Sequence, residues 1–411
     1  MKYRLSNRVT NMAESETLAM TRIARELRAN GKDVISLSIG EPDFNTPGIV
    51  KDAAKHAIDD NWSHYPPVPG YPDVLQAISD KFKRDNHLDY RPEQIVISTG
   101  AKQSIYQVVM SLVNPGDEVI IPTPYWVSYR EIVKMAEGNP VYIRSNIEND
   151  FKITPQQLQK AITPRTRLLM FSTPSNPTGM LYSRDELLAI AEVLKTYPHV
   201  MVMADEIYEH IRFEGKHESM AQFDFIKEQV ITVNGVAKGY AMTGWRAGFI
   251  GAPLPVAQAC SKLQGQITSG SCSISQRAVL AAMQINPDTS EDIIQMKNIF
   301  KRRRDMLYQR LSMLPGFKVC LPQGAFYFFP DISELFGKHV PDGALFETMY
   351  GKKTIENATD LCMYLLYDAN VATVQGDAFG DSRCIRMSYA TADTLLVEAM
   401  NRIEHAIYAL K

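Results

Sequence analysis

Residues 230–248, VITVNGVAKGYAMTGWRAG, constrain the fold of this chain more than any other stretch. The β-branched residues at 230–233 predict a short buried strand, and a glycine-containing turn follows it. The turn leads to Lys238, which has small and apolar residues on both sides. An ammonium group in such a setting must be paired, deprotonated or used covalently, because desolvation disfavours its charged form and lowers its pKa. The stretch therefore predicts a strand that ends close to a reactive lysine.

Arg246 follows eight residues after Lys238, between Gly244 and Gly248. A planar guanidinium group with glycines nearby is suited to close, bidentate contact with a phosphate. A single lysine is most often a solvated surface charge. The strand, the turn and Arg246 together favour the functional interpretation, and an amine beside a phosphate anchor indicates pyridoxal 5′-phosphate as the cofactor.

The sequence AKGYAMTGWRAG resembles the Schiff-base lysine motif of the fold-type I, class I/II aminotransferases. It is most similar to the motif of the bacterial aspartate aminotransferases of the Ib type. The resemblance implies an α/β fold with a mostly parallel seven-stranded sheet flanked by helices in a large domain, and a smaller α+β domain. We place the large domain at residues 46–290 and the small domain at residues 1–45 and 291–411.

The motif departs from the family pattern just before the lysine. Family members have hydroxyl residues three positions and one position before it, where this chain has Gly235 and Ala237. Some contacts to the cofactor phosphate are therefore expected from the turn at residues 100–102 or from Tyr65. By resemblance, Tyr65 is the tyrosine that reaches the cofactor phosphate of the neighbouring subunit, which implies a homodimer with shared active sites.

The segment HVMVMADEIYEH, residues 199–210, is the second strongest signal. A continuous apolar strand leads to Asp205, and a carboxylate at the end of a buried strand needs a cationic partner or several hydrogen-bond donors. A protonated pyridine nitrogen is such a partner, and its protonation makes the cofactor ring an electron sink. Tyr208, three residues later, is predicted on the same side as Asp205, where it is expected to contact the phenolic oxygen of the cofactor.

A glycine turn at Gly100, Ala101 and Lys102 connects the strand QIVIST to a predicted helix. Free N–H groups and the helix dipole make such a helix start a phosphate site, although many α/β proteins have similar turns. The resemblance gives Lys102 a further role, because the Ib-type aspartate enzymes use this lysine to hold the distal carboxylate of aspartate. The alternative for Lys102 is a solvated lysine at a helix start.

Trp126 and Asn176 are the next two predicted site residues. Trp126 lies just past the end of a predicted strand, where open α/β sheets bind ligands, and the resemblance implies that it stacks on the pyridine ring. A core position is the alternative. Asn176 begins the turn NPTG, and the family uses this asparagine to contact the phenolic oxygen of the cofactor and the substrate carboxylate. Both residues are therefore expected to contact cofactor and substrate.

Three further residues are predicted to bind the substrate. Arg386 lies in the apolar strand CIRMSYA, where an arginine should face a carboxylate, and the family places its carboxylate-binding arginine in this context. Gly40, in the loop IGEPDF, resembles the glycine whose backbone N–H faces the same carboxylate. Ser15 corresponds to a serine that reaches the distal carboxylate across the dimer, and a helix N-cap is its alternative.

Composition excludes several other classes of partner. The formal net charge of −2 gives no electrostatic reason to expect nucleic acid or an anionic membrane, and the basic run at residues 301–304 is interpreted as a solvated helix face. No apolar run has the length of a signal peptide or a membrane span, so a cytoplasmic protein is expected. The five cysteines form no CxxC pair, and no metal site is predicted.

The sequence predicts an enzyme that transfers the amino group of L-aspartate to 2-oxoglutarate through the Schiff base at Lys238, with amino acid and 2-oxo acid substrates. An aromatic, prephenate or alanine aminotransferase and a β-lyase are alternatives on the same scaffold. A non-catalytic cofactor-binding module and a nicotinamide-dependent dehydrogenase are alternatives from other classes, but no GxGxxG follows a strand. Residues 335–357 are longer and more polar than the usual family connection, and their role stays open.

Overall fold

The computed structural model describes residues 3–411, so that residues 1 and 2, at the start of the predicted small domain, lie outside it. The strands of the described chain are β1 Ile35–Ser36, β2 Ile95–Ser98, β3 Glu118–Thr123, β4 Asn139–Arg144, β5 Thr166–Ser172, β6 Met201–Asp205, β7 Val230–Gly235, β8 Gly248–Gly251, β9 Tyr327–Phe328, β10 Val371–Ala372, β11 Val374–Gln375 and β12 Ile385–Ser388.

The α-helices are α1 Asn7–Thr10, α2 Glu16–Ala29, α3 Gly48–Asp59, α4 Pro72–Asn86, α5 Ala101–Leu112, α6 Ser128–Met135, α7 Pro155–Ala161, α8 Arg184–Lys195, α9 Leu254–Ile267, α10 Ser273–Gln284, α11 Glu291–Leu311, α12 Leu345–Tyr350, α13 Ala358–Tyr367 and α14 Asp393–Tyr408. Their starts follow local sequence signals, as at α8. There Ser183 accepts a hydrogen bond from the Glu186 N–H, and the Glu186 carboxylate accepts one from the Ser183 N–H. Among residues 3–411, no helix is both long and apolar enough to cross a bilayer.

Seven strands form the main sheet in the order β2-β8-β7-β6-β5-β3-β4. Strands β7, β6, β5, β3 and β4 run parallel, whereas β8 is antiparallel to both of its neighbours. Successive residues of β2 point into different cores, with Ile95 and Ile97 in one and Val96 in the other. Because helices cover both faces, apolar residues fill most positions of the central strands. The predicted mostly parallel seven-stranded sheet is confirmed.

The second part of the structure has its own small sheet and core. Strands β11, β12 and β9 form an antiparallel sheet, and β1 pairs in parallel with β10. One apolar cluster joins residues of α2 and β1 with residues of α11, α13 and α14. The same cluster also includes Ile207, Tyr208, Ile211 and Phe213, so the division into residues 46–290 and residues 1–45 with 291–411 stays a prediction.

The basic run at residues 301–304 is only half solvated, so its interpretation as a wholly solvated helix face is wrong. Arg303 is 6% exposed and Arg304 is 2% exposed. The Arg303 guanidinium donates to both carboxylate oxygens of Asp43, at 2.7 and 2.8 Å, and to Asp393 at 2.7 Å. A helix of 3.6 residues per turn cannot expose four consecutive side chains when one of its faces is packed. Arg303 therefore holds the loop after β1 against α11, whereas Arg304 binds Glu214 and the Pro322 carbonyl oxygen.

Residues 335–357 are attached to the small domain. The Gly337 N–H donates to the Ile355 carbonyl oxygen, and the Ile355 N–H donates to the Lys338 carbonyl oxygen. His339 and Lys411 exchange two backbone hydrogen bonds of 3.0 and 2.9 Å. The Asp368 carboxylate accepts the N–H groups of the first two residues of α12, at 2.7 and 2.8 Å. None of these residues lines the cavity described below.

Candidate active site

The sheet topology brings the main predicted residues to one edge. Trp126 follows β3, Asn176 follows β5, Asp205 ends β6 and Lys238 follows β7. Gly100 follows β2, which runs in the same direction as β7 because β8 is antiparallel to both. Strands that run in the same direction end at one edge of the sheet, which is where open α/β sheets bind ligands.

A cavity of about 310 Å³ opens at this edge. The predicted site residues that line it are Ser15, Gly40, Ala101, Lys102, Trp126, Asn176, Asp205, Tyr208, Lys238, Arg246 and Arg386. Gly100 lies directly behind the Arg246 guanidinium. Tyr65 does not line the cavity of its own chain, and its side chain is 93% exposed.

Lys238 lies in the cavity with its amine against the Gly40 backbone. Its Nζ donates to the Gly40 carbonyl oxygen at 2.6 Å. Burial lowers the pKa of Lys238 to about 8, and the Glu41 carboxylate opposes this shift. An amine with this pKa is far more often in its nucleophilic, neutral form near neutral pH than an ordinary lysine is.

Asp205 is a buried carboxylate with neutral hydrogen-bond partners. The Tyr129 hydroxyl donates to its Oδ2 at 2.8 Å, and the Ile207 N–H donates to its Oδ1 at 3.3 Å. Burial raises the pKa of Asp205 to about 6, although the Tyr129 hydrogen bond acts in the opposite direction. A cationic ligand group at this carboxylate would compensate its lost hydration.

Arg246 and the start of α5 form an anion cradle. Arg246 has a φ of +53°, and its Nη1 donates to the Thr243 carbonyl oxygen at 2.9 Å. Gly100 has a φ of +84°, and a Cβ there would lie 2.5 Å from Arg246 Nη2, so both the conformation and the packing require glycine. The first N–H groups of α5, beginning at Ala101, have no intrahelical acceptor and, with the helix dipole, favour an anion.

The structure explains the departure from the family motif at Gly235. A Cβ on Gly235 would lie 2.8 Å from the Gly248 Cα and 3.0 Å from the Ala247 carbonyl oxygen. The close pairing of β7 with β8 therefore leaves no room for a hydroxyl side chain at this position. Thr243 and Arg246 line the cavity nearby.

Arg386 on β12 is 2% exposed, and its guanidinium donates to oxygens of neutral groups. Its Nη1 donates to Asn176 Oδ1 at 3.0 Å, and its Nη2 donates to the Ser38 carbonyl oxygen at 2.6 Å. Its Nε has no hydrogen-bond partner within the described chain. A buried guanidinium group with a free N–H is suited to a carboxylate ligand.

Lys102 and Trp126 lie together at the side of the cavity. The Lys102 Nζ lies 4.9 Å from the centroid of the Trp126 ring. Burial and the neighbouring Arg246 lower the pKa of Lys102. Ser15 occupies the N-cap position of α2 but makes no side-chain capping bond, which argues against the N-cap alternative.

An adjoining cavity of about 240 Å³ shares four lining residues with the first, Ser15, Lys102, Val127 and Ser128. Arg130 and Glu131 line its far part. Lys102 therefore lies between two neighbouring cavities.

Tyr208 contributes to the cavity wall three residues after Asp205, as predicted. Its hydroxyl oxygen lies 2.7 Å from the hydroxyl oxygen of Tyr327. The sequence did not predict that Tyr327 contacts Tyr208 or that Tyr129 contacts Asp205. Tyr129 stands three residues after Trp126 in WVSY, but its partner Asp205 comes from another strand, and a single sequence carries no signal for that pairing.

A second buried group of ionisable side chains lies beneath the turn that follows Asp205. The side chains of Asp85, Glu209 and His210 approach one another as metal ligands would. Lys81, which is 1% exposed, forms a close ion pair with Glu209 and donates to Asn86 Oδ1 at 2.6 Å. Because Lys81 pairs with Glu209 and Arg84 pairs with Asp85, both carboxylates already have a cationic partner, and the cluster is a structural support of the turn.

The residues of the cavity fit pyridoxal 5′-phosphate. The amine of Lys238 has the reactivity that an aldehyde requires, and Asp205 has room for a cation among neutral partners. The cradle formed by Gly100, Ala101 and Arg246 matches a phosphate, and Trp126 supplies a flat aromatic surface.

Comparison with known proteins agrees with this arrangement. Residues 32–403 match the model of the family "Aminotransferase class I and II". The chain is 44% identical to the aspartate/prephenate aminotransferase of Cereibacter sphaeroides, over 97% of this chain and 98% of that protein. It is 43% identical to a bifunctional aspartate aminotransferase and glutamate/aspartate-prephenate aminotransferase of Petunia hybrida, over 99% of this chain and 83% of that protein.

Solved structures show the same fold. The aspartate aminotransferase from Rhizobium meliloti superposes with a TM-score of 0.94 at 40% identity and covers all of both chains. The aspartate aminotransferase from Thermus thermophilus with maleate superposes with a TM-score of 0.90 at 36% identity, covering 98% of this chain and 100% of that chain. The protein therefore belongs to the class I and II aminotransferases and has the fold-type I architecture predicted from its lysine motif.

Proposed function

We propose that the protein transfers the amino group of L-aspartate to 2-oxoglutarate and gives oxaloacetate and L-glutamate. The observation that carries this proposal is Lys102, the cation that remains for a second carboxylate when Lys238 and Arg246 hold the cofactor and Arg386 binds the α-carboxylate. A dicarboxylic substrate matches two cations, whereas an aromatic amino acid or alanine offers Lys102 no carboxylate. The relatives named as aspartate aminotransferases support the same substrate.

Pyridoxal 5′-phosphate, the cofactor of this family, supplies an electron sink for the charge that develops at the substrate α-carbon. Lys238 would bind it covalently, and the Asp205 carboxylate would keep its ring nitrogen protonated. The remaining residues proposed to hold it are Gly100, Ala101, Lys102, Trp126, Asn176, Tyr208 and Arg246, with Tyr65 of the second copy.

The side chains of the protein then position the substrate and move one proton. Arg386 and the Gly40 backbone bind the α-carboxylate, with Asn176 fixing the guanidinium through its 3.0 Å hydrogen bond. Lys102 and Ser15 bind the distal carboxylate. Once the substrate amine has displaced it from the cofactor, the free Lys238 Nζ would take the proton from the substrate α-carbon and deliver it to the cofactor, which its pKa of about 8 allows near neutral pH.

Substitution of Lys102 by methionine tests the substrate assignment. We expect kcat/KM for aspartate to fall about 10- to 100-fold, the usual effect of losing a charged hydrogen bond, and kcat/KM for alanine to change little. Lys102→Arg is the matched control, because it keeps the charge and should retain most of the preference for aspartate. Equal losses for aspartate and alanine would refute the role of Lys102.

Prephenate is the second candidate substrate. A second cavity of about 240 Å³ lies beside Lys102, and space next to the site favours a bulky dicarboxylic 2-oxo acid as an additional acceptor. The Cereibacter sphaeroides and Petunia hybrida relatives carry prephenate in their names. Comparing kcat/KM for prephenate with kcat/KM for 2-oxoglutarate tests whether prephenate is an acceptor. An enzyme that turns over 2-oxoglutarate but not prephenate would exclude prephenate.

The proposed enzyme is a homodimer with shared active sites. Tyr65 is 93% exposed in the single chain and lies outside the cavity of that chain, which is expected of a residue that contacts the active site of a second copy. Mixing Tyr65→Ala chains with Lys238→Ala chains tests this. Random exchange in an equal mixture puts both intact residues into about a quarter of the sites, so activity per protein should exceed the mean of the two variants measured alone. Activity equal to that mean, despite proven exchange of chains, would refute a shared site.

A further inference from the structure

We propose that Tyr327 is a positioning residue that couples the binding of a carboxylate at Arg386 to the hydrogen bonding of Tyr208. The inference rests on the proposed function, in which Arg386 binds the substrate carboxylate and Tyr208 contacts the phenolic oxygen of the cofactor. It adds a residue from the small-domain sheet that links the two.

Tyr327 is held beside Arg386 by the small sheet. It lies on β9 and is paired in register with Ser388 of β12, two residues after Arg386. The side chain is 1% exposed. The Arg386 guanidinium carbon lies 4.6 Å from the centroid of the Tyr327 ring, a cation–π contact between two buried groups.

The hydroxyl of Tyr327 reaches across to Tyr208, which lies after β6 of the main sheet. The two hydroxyl oxygens are 2.7 Å apart, and the rings meet edge to face at a centroid distance of 5.9 Å. The contact therefore joins the sheet that contains Arg386 to the turn that follows Asp205.

The charge of Arg386 determines the direction of this hydrogen bond. A cation over the ring stabilises negative charge on the Tyr327 oxygen, which makes Tyr327 the better donor of the pair. Tyr208 then accepts from Tyr327 and keeps its own proton for donation into the cavity. When a carboxylate neutralises Arg386, Tyr327 donates less strongly, so Tyr208 also donates less strongly to the cofactor.

Gly40 provides a second link at the same hydroxyl. A Cβ on Gly40 would overlap the Tyr327 hydroxyl. The Gly40 carbonyl oxygen accepts a hydrogen bond of 2.6 Å from Lys238 Nζ. Tyr327 thus contacts the backbone segment that orients the reactive amine. Phenylalanine would fill the same apolar space, and both neighbouring positions in the chain, Phe326 and Phe328, are phenylalanines. Packing alone therefore does not require the hydroxyl group of Tyr327.

The test is the Tyr327→Phe variant, loaded with pyridoxal 5′-phosphate and titrated with base while the absorbance of the bound cofactor is followed. Maleate serves as an unreactive dicarboxylate that occupies Arg386. In the wild type, saturating maleate should raise the titration midpoint. In Tyr327→Phe the midpoint without maleate should already be raised, and the shift on adding maleate should be less than half that of the wild type.

Tyr389→Phe is the matched control, because it removes a buried tyrosine hydroxyl from the same core, 3.4 Å from the Ala325 carbonyl oxygen. Its titration should match the wild type. A Tyr327→Phe titration identical to the wild type, or an equal change in Tyr389→Phe, would overturn the role of Tyr327. In either case the transamination of aspartate by the wild type would still support the proposed function. A wild type that binds no cofactor would refute both.

Discussion

Replacing Lys238 with alanine is expected to lower the rate of transamination by at least about 10⁴-fold, because both the covalent bond to the cofactor and the proton transfer are lost. Lys238→Arg keeps the charge but supplies no nucleophilic amine, and should be equally inactive. Circular dichroism should show both variants folded. Activity in either variant within about tenfold of the wild type would contradict the catalytic role of Lys238.

The same residue gives the wild type a characteristic pH dependence. Burial lowers the pKa of Lys238 to about 8, so the amine is protonated and unreactive below this pH and neutral above it. The rate at which cofactor-free protein captures pyridoxal 5′-phosphate should therefore rise with pH through a midpoint near 8. A midpoint near 10.5, the ordinary value for lysine, would show that the amine is not desolvated.

Replacing Asp205 with asparagine is the second large change, and activity and stability should move in opposite directions. Transamination should slow by about 10²- to 10³-fold, because the variant cannot stabilise a protonated ring nitrogen. Burial raises the pKa of Asp205 to about 6, so in the cofactor-free wild type its charge destabilises the fold above that pH. The cofactor-free variant should therefore melt at the same or a higher temperature at pH 8.

The comparison of melting temperatures separates this role from a structural one. Asparagine preserves an oxygen that can accept the 2.8 Å hydrogen bond from Tyr129, so the local packing is retained. If Asp205 served only the fold, the variant would melt lower and would lose activity only in proportion to unfolded protein. A fully active Asp205→Asn enzyme would remove the electrostatic part of the proposal.

The sequence was most informative where charge and burial conflict. Lys238 and Asp205 both follow apolar strands, and the high cost of an unpaired buried charge marks them as functional without any structure. The strand order then places both at one edge of the sheet, which the parallel topology requires.

Contacts between distant elements were not predictable in the same way. Tyr129 of α6 contacts Asp205, and Tyr327 of β9 contacts Tyr208, because the fold brings elements that are distant in the sequence together. Arg303 and Arg304 were misjudged for a related reason. A run of four basic residues indicates a solvated face only when the helix has no packed side there, and their partners Asp43 and Glu214 lie far away in the chain.

The central claim is that this chain moves an amino group from aspartate to 2-oxoglutarate through a cofactor held by Lys238. The most direct test is the absorption spectrum of the purified protein with pyridoxal 5′-phosphate, recorded before and after aspartate and then after 2-oxoglutarate. We expect a visible absorption band that aspartate bleaches and 2-oxoglutarate restores. A band that persists with aspartate but responds to another amino acid would contradict the substrate, and the absence of any band would contradict the assignment of Lys238.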